Sequence, residues 1–222
     1  MSSRNPQTPA ASTLARIGGQ AAILGGILWA LYYVVFVSAS IASGEGFYEQ
    51  TTNLSAWQIV SGMCFMGGIV GFDIAILSLR ARLDGRSRKF GIASAIFVGI
   101  ALIVVSIGFA LTFGITGETR AGGLFAGIGV VLTCIAATLI GIAVRRNDLL
   151  PGKSRNWVLI VGAATFPAII AFTPLGMVVP DYITAEIPFA LSGLAWIAIG
   201  SVMRASSVSQ PRRQERELTA TA

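Results

Sequence analysis

Long apolar stretches alternate with short polar connections along this 222-residue chain. A helix needs about 20 mostly apolar residues to cross a hydrocarbon core of about 30 Å. Stretches of this kind lie at about 17–43, 56–79, 90–113, 122–144, 156–178 and 185–204. The pattern predicts an all-α polytopic membrane protein, a bundle of six transmembrane helices with short loops. The first stretch is longer than the ~7–15-residue core of a secretory signal, so we expect a retained helix.

Polar segments flank these stretches and complete the predicted organisation. Residues 1–16 are expected to be a cytoplasmic N-terminal tail, and residues 17–204 the six-helix transmembrane domain. Residues 205–222, "ASSVSQPRRQERELTATA", are rich in Arg and Ser and predict a disordered cytoplasmic C-terminal tail.

The basic residues are distributed very unevenly between the two sides of the predicted membrane. Of the 16 lysines and arginines, only Arg120 lies in a connection on the side opposite the termini. Positively charged loops face the cytoplasm, so we predict a cell-membrane protein with both termini cytoplasmic. Short basic clusters between apolar runs favour contact with lipid headgroups over a nucleic-acid surface. Membrane lipids are therefore predicted partners, and nucleic acid is not.

Composition narrows the chemistry further. The chain is 54% hydrophobic and 12% charged, whereas soluble domains are about 45–50% apolar and about 25% charged. It contains no histidine, which excludes imidazole ligation of zinc or haem and Ser-His catalysis. Cys64 and Cys134 each lie in an apolar run and are expected to be free thiols. We predict no cofactor and no metal site.

One carboxylate interrupts the second stretch, in "GGIVGFDIAILSLRAR" at residues 67–82. Ionisable residues inside membrane spans are rare, so Asp73 is a candidate intramembrane polar site. Counting the same depth along other spans reaches Thr138 and Thr165, whose hydroxyls are expected to donate hydrogen bonds to Asp73. Three roles stay open: a satisfied structural anchor, a site that binds a proton or an ion, and a group facing a water-filled crevice.

The fifth stretch contains Pro167 and Pro174. Each proline removes a helical hydrogen bond and predicts a kink. A kinked membrane helix can form a gate or a binding site. Prolines are also tolerated in membrane helices without such a role, because neighbouring groups satisfy the freed carbonyls.

Small residues spaced four apart predict where the helices approach each other closely. They are Gly67 and Gly71; Gly91, Ala95 and Gly99; Gly123 and Gly127; and Thr133, Ala137 and Gly141. These faces predict packing within the bundle, and the alternative is contact with a protein partner or a homo-oligomer.

Three segments carry a resemblance to other proteins: "ARIGGQAAILGGILW", "NDLLPGKSRNWVLIVGAA" and "EIPFALSGLAWIAIGSVMR". In layout the chain resembles small six-helix bacterial integral membrane proteins that are classed only as a domain of unknown function. The resemblance implies a bacterial multi-pass protein and transfers no catalytic residue.

Two functions from different classes remain open. The first is a non-enzymatic partner-binding or assembly component, favoured by short loops and few intramembrane polar residues. The alternative is a small transporter or channel subunit that uses Asp73 and the proline-kinked fifth helix. We do not expect an enzyme, because aspartyl chemistry needs a carboxylate pair, and Asp73 is the single acid well inside the predicted spans.

Reporter fusions test the predicted topology. Fusions after residues 50, 118 and 182 should report a position outside the cytoplasm, and fusions after 86, 150 and 215 a cytoplasmic one. A cytoplasmic signal from the fusion after residue 118 would contradict the six-span arrangement.

Overall fold

A computed structural model describes residues 9–43, 55–83, 87–114, 119–172, 184 and 186–220, with backbone alone for 9–12, 15, 43, 119–120 and 207–220. Within these ranges the chain is helical and contains no strand. The helices are α1 (Pro9–Ser43), α2 (Ala56–Arg80), α3 (Arg88–Phe113), α4 (Thr119–Arg146), α5 (Trp157–Phe172) and α6 (Ile187–Ala220). A short 3₁₀ helix at Gly152–Asn156 leads into α5.

In the part of the chain that the structure describes, six segments are long and apolar enough to cross a membrane, which confirms the predicted fold class. They are Arg16–Ala42, Ala56–Arg80, Arg88–Phe113, Ala121–Arg146, Gly152–Phe172 and Ile187–Ser206. The chain is thus a multi-pass membrane protein. Ser55 caps the start of α2, and the Gln58 side chain accepts a 2.8 Å hydrogen bond from the Ser55 backbone N–H.

Both terminal helices extend into segments that the sequence pattern assigned to polar tails. α1 begins at Pro9, inside the predicted tail 1–16, and proline is well suited to the first turn of a helix. α6 continues to Ala220, through most of the segment expected to be disordered. That segment contains "RRQEREL", a run of strong helix formers. Helix propensity, which hydropathy does not measure, accounts for both differences.

The six helices form two groups. α1 packs extensively against α2 and α6, and α4 packs extensively against α3 and α5. We call α1, α2 and α6 the first helix group, and α3, α4 and α5 the second. The groups meet along a less extensive contact, the seam, where α2 faces α3 and α4 and where α5 faces α6.

Glycine allows the helix backbones within each group to touch. A Cβ on Gly26 would overlap the Gly193 carbonyl oxygen, and one on Gly19 would lie 2.9 Å from the Gly200 carbonyl oxygen. In the second group, a Cβ on Gly162 would lie 2.5 Å from the Thr138 backbone nitrogen. Lipid is as apolar as leucine, so this close backbone contact supplies much of the attraction between membrane helices.

The glycine contacts also fix the direction of the helices. α1 runs antiparallel to α6, since Gly26 faces Gly193 and Gly19 faces Gly200. α1 is likewise antiparallel to α2, since Gly25 lies against Gly71 and Gly18 against Ser78. One end of the bundle, the Arg80 end, therefore holds the end of α2, and the opposite end, the Glu186 end, holds the start of α6.

Some residues of the predicted small-residue faces pack against other helices, and others are exposed. Gly71 packs against Gly25, and Gly141 against Leu159, as the prediction of packing within the bundle requires. Gly99 and Gly127 are exposed, and a Cβ on either would meet no atom within 4 Å.

An aromatic cluster fills the interior of the first helix group. Its members are Trp29, Tyr32, Phe36, Phe65, Phe72, Phe189 and Trp196. Trp29 and Trp196 are buried, and the Trp29 indole N–H donates a 3.0 Å hydrogen bond to the Phe65 carbonyl oxygen. Both tryptophans are packing residues.

A matched pair of glycine variants tests these contacts. Gly26→Ala should lower the free energy of unfolding by about 1–3 kcal/mol, because the methyl group overpacks the contact with α6. Gly99→Ala should raise it by up to about 1 kcal/mol, because alanine is the better helix former and its methyl group meets open space. Thermal unfolding in detergent measures both, and equal effects would contradict the assigned packing.

Candidate intramembrane polar site

Asp73 lies in the interior of α2 and is fully buried. It is seven residues from Arg80 along the helix, or about 10 Å at 1.5 Å per residue. Its sequence neighbour Phe72 and the nearby Ile69 and Ile76 are also buried. The carboxyl group is therefore surrounded by apolar side chains at membrane depth.

One hydroxyl group reaches Asp73 across the seam. Thr133 of α4 donates a hydrogen bond from Oγ1 to Asp73 Oδ1, at 3.1 Å. The second carboxyl oxygen, Oδ2, is buried and has no hydrogen-bond partner among the described residues. An ionised carboxylate can accept about four hydrogen bonds, so the site is far from satisfied.

No positive charge balances Asp73 at its own depth. The sequence places every lysine and arginine at helix ends, in connections or in the tails. In the part of the chain that the structure describes, the single ion pair joins Arg155 to Asp148 at 2.8 Å, and both side chains are largely exposed. The ionised form of Asp73 thus lacks a counter-charge in these ranges.

The other two predicted members of the polar site make different contacts. Thr138 donates from Oγ1 to the Cys134 carbonyl oxygen at 2.8 Å. Thr165 donates to the Val161 carbonyl oxygen at 2.7 Å. The partner of Asp73 is therefore Thr133, because depth alone does not set the direction in which a helical side chain points.

Thr165 contributes to a second polar contact across the seam. Its hydroxyl oxygen lies 3.1 Å from Ser192 Oγ of α6, and both residues are buried. Asp73–Thr133 links α2 to α4, and Thr165–Ser192 links α5 to α6. The seam therefore carries buried polar contacts between side chains at two separate places.

The sequence contains a signal for Thr133 but none for Ser192. Thr133, Ala137 and Gly141 repeat every four residues and mark the face of α4 that packs inside the bundle. Thr138 is five residues from Thr133, which turns it about 140° around a helix of 3.6 residues per turn. Ser192 stands alone among apolar residues, so no pattern distinguishes it.

One of the two prolines in the fifth stretch falls within the described residues, and the kink itself stays a prediction. Pro167 lies inside α5, two residues after Thr165, and cannot donate a backbone hydrogen bond to the Ala163 carbonyl. Pro174 lies outside the described residues.

The arrangement is suited to binding a proton or a small monovalent cation. A carboxylate and a hydroxyl offer hard oxygen ligands in a site without water access. Within the described ranges, no three His, Cys, Asp or Glu residues come together as a metal site would require. Both cysteines are free thiols, as expected.

No family model matches the chain, and neither a curated protein nor a solved structure matches it. The resemblance to six-helix bacterial proteins stays a prediction.

Two threonine variants test the assignment of the site. Thr133→Val should lower the free energy of unfolding by about 1–2 kcal/mol, because it leaves a buried carboxyl group without its donor. Thr138→Val should lower the free energy of unfolding by less, because the Thr138 hydroxyl bonds only the backbone of its own helix. Thermal unfolding in detergent compares the two, and a larger cost for Thr138→Val would contradict the assignment.

Proposed function

We propose that this protein is a small membrane transporter that binds a proton or a monovalent cation at Asp73, between its two helix groups. The observation that carries the proposal is the fully buried Asp73 carboxyl group, with one hydroxyl donor and one unpartnered oxygen among the described residues. We further propose that it has no enzymatic activity.

The energetics favour a group that changes its charge. A charged aspartate near the centre of a membrane helix costs about 2.5–3.5 kcal/mol on insertion scales. Among the described residues, a single hydrogen bond offsets this cost at Asp73. Binding a proton or a cation removes the uncompensated charge, so occupancy of the site is coupled to the stability of the closed seam.

The packing supports movement of one helix group against the other. Backbone-to-backbone contacts at glycine lie within the groups, such as Gly26 with Gly193 and Gly108 with Gly122. Such tight contacts favour motion of each group as a rigid body. Many transporters expose a central site to each side in turn by rocking one bundle against another. Asp73 lies at the interface where such motion would open the bundle.

The fifth helix supplies a second element of the proposal. Pro167 weakens the hydrogen bonding of α5 next to the Thr165–Ser192 contact. A bend at this point would separate α5 from α6 while the glycine contacts within each group remain intact.

The proposed orientation rests on charge. The connections that hold nearly all the basic residues, together with both termini, are proposed to be cytoplasmic in a cell membrane. The Arg80 end of the bundle is then the cytoplasmic end, and the Glu186 end faces outward.

A partner-binding or assembly role is the second candidate. The exposed glycines Gly99 and Gly127 favour it, because small residues on a lipid-facing surface allow close approach of another helix. If this role is correct, light scattering should give the wild-type protein in detergent a molar mass greater than that of a monomer. Gly99→Leu should then return it to the monomer.

Proton flux into proteoliposomes tests the transport proposal. Wild-type protein should carry protons along an imposed potential faster than protein-free vesicles, followed with an entrapped pH-sensitive dye. Asp73→Asn should reduce the rate to that of protein-free vesicles, because the amide keeps the shape of the carboxyl group but cannot ionise.

The matched control is Asp148→Asn, which removes an exposed acid in the connection after α4 and should leave the rate unchanged. Wild-type flux equal to the protein-free background would contradict the proposal, as would unaltered flux in Asp73→Asn.

A further inference from the structure

A second carboxyl group lies at the opposite end of the first helix group from Arg80. The contacts Gly19–Gly200 and Gly26–Gly193 repeat at intervals of seven residues along α1 and α6. A further seven residues along each helix bring Tyr33 of α1 level with Glu186, which directly precedes α6. The start of α6 thus lies beside the part of α1 that carries Tyr32 and Phe36.

Glu186 is held at this place by its backbone and its side chain. Its carbonyl oxygen accepts hydrogen bonds from the backbone N–H groups of Phe189, at 3.1 Å, and Ala190, at 3.3 Å. Its carboxyl group is hydrogen-bonded to Tyr32. The Oε2 atom is buried and has no partner within the described ranges.

Aromatic rings pack around Tyr32, the hydrogen-bond partner of this carboxyl group, and form an aromatic wall. The ring of Tyr32 lies 5.0 Å from Phe65, 5.6 Å from Phe36 and 6.4 Å from Phe189, measured between centroids. Trp57 extends the wall, with its centroid 6.0 Å from that of Phe36. Carboxylates and aromatic faces together are the groups that recognise organic ammonium ions.

Two buried hydroxyl groups at the same end also lack a described partner. Thr184 is 4% exposed and Ser40 is 0% exposed, and neither hydroxyl oxygen is hydrogen-bonded to a described residue. Thr184 comes two residues before Glu186. Ser40 lies four residues beyond Phe36 on α1, which is about 6 Å further along the helix axis.

The charge of Glu186 is unbalanced among the described residues nearby. The described parts of α1 and α2 at this end contain Tyr32 and Tyr33 but no acid and no base. Burial raises the pKa of Glu186 to about 7, and the hydrogen bond from Tyr32 opposes this effect only in part. A proton or a bound cation would neutralise the group.

We propose that Glu186, Thr184 and the rings of Tyr32, Phe36 and Phe189 form a binding site for a small alkylammonium ion. The ammonium N–H groups donate to Glu186 Oε2 and to the Thr184 hydroxyl, and the alkyl chain packs on the aromatic rings. We call this the ammonium site. It rests on the proposed function, to which it adds the class of substrate.

Proton and ammonium compete for the same carboxyl oxygen. The ammonium ion binds the ionised carboxylate, so its affinity should be full above the pKa of Glu186, at about 7. Affinity should fall as the pH drops below this value, because protonation removes the charge that holds the ligand.

Titration of the purified full chain with n-butylammonium tests the site. Tryptophan fluorescence, in detergent at about pH 8, is the readout, because Trp57 and Trp29 lie in or beside the aromatic walls. Wild-type protein should give saturable binding, and Glu186→Gln should lose it. The neutral isostere n-butanol should not bind, because it carries no charge.

Two controls separate the site from other effects. Asp148→Asn removes an exposed acid elsewhere and should bind like the wild type. Tyr32→Phe keeps the ring but removes the hydroxyl donor that favours the ionised carboxylate. It should therefore shift the pH midpoint of binding upward, which also tests the site if Glu186→Gln fails to fold.

The outcomes distinguish this proposal from the transport proposal. Unaltered binding in Glu186→Gln, equal binding of n-butanol, or an unshifted midpoint in Tyr32→Phe would each overturn the ammonium site. Binding that is intact in a protein without proton flux would keep the ammonium site and reject transport at Asp73.

Discussion

Close contact between helix backbones at glycine is the constraint on which this structure depends. Apolar side chains gain little by leaving lipid for a protein interior, so membrane helices need backbone proximity and hydrogen bonds to associate. Gly19 and Gly26 provide that proximity to α6, and Gly162 provides it between α5 and α4. These contacts lie within the two helix groups, and the division of the bundle follows from their positions.

The seam is held in a different way, and this difference carries the functional argument. Buried hydroxyl and carboxyl groups meet there, in the Asp73–Thr133 and Thr165–Ser192 contacts. Hydrogen bonds between membrane helices are worth about 0.6 kcal/mol on average. Contacts of this strength can break and re-form, whereas separating interlocked backbones would disrupt a whole helix pair. Because the unbalanced Asp73 carboxylate lies at this weaker interface, binding of a proton or a cation to it is coupled to the opening of the bundle.

Hydropathy was sufficient to predict the six spans but not the rotation of each helix. The predicted ends of the second span, 56 and 79, differ little from Ala56–Arg80, because length and apolarity determine where a helix can cross. The same pattern placed Asp73 inside a span but did not decide between burial and exposure to a water-filled crevice, and the structure shows it buried. The hydrogen-bond partner of Asp73 is Thr133, and not the predicted Thr138 or Thr165. The rotation of each helix about its axis decides which hydroxyl reaches Asp73, and that rotation is set by glycine contacts between helices distant in sequence. Glu186 was not predicted as a site because it lies at the very start of the predicted sixth span, 185–204, where acids are common.

Distances between spin labels test the central claim that the two helix groups move as separate bodies. A label pair at 145 on α4 and 204 on α6 measures a distance across the seam. A label pair at 16 on α1 and 80 on α2 measures a distance within the first group. All four residues are exposed. Both native cysteines would be replaced by alanine. Between about pH 5 and about pH 9, the account predicts a changed distance for 145–204 and a constant distance for 16–80. An identical, narrow distance for 145–204 under both conditions would contradict it.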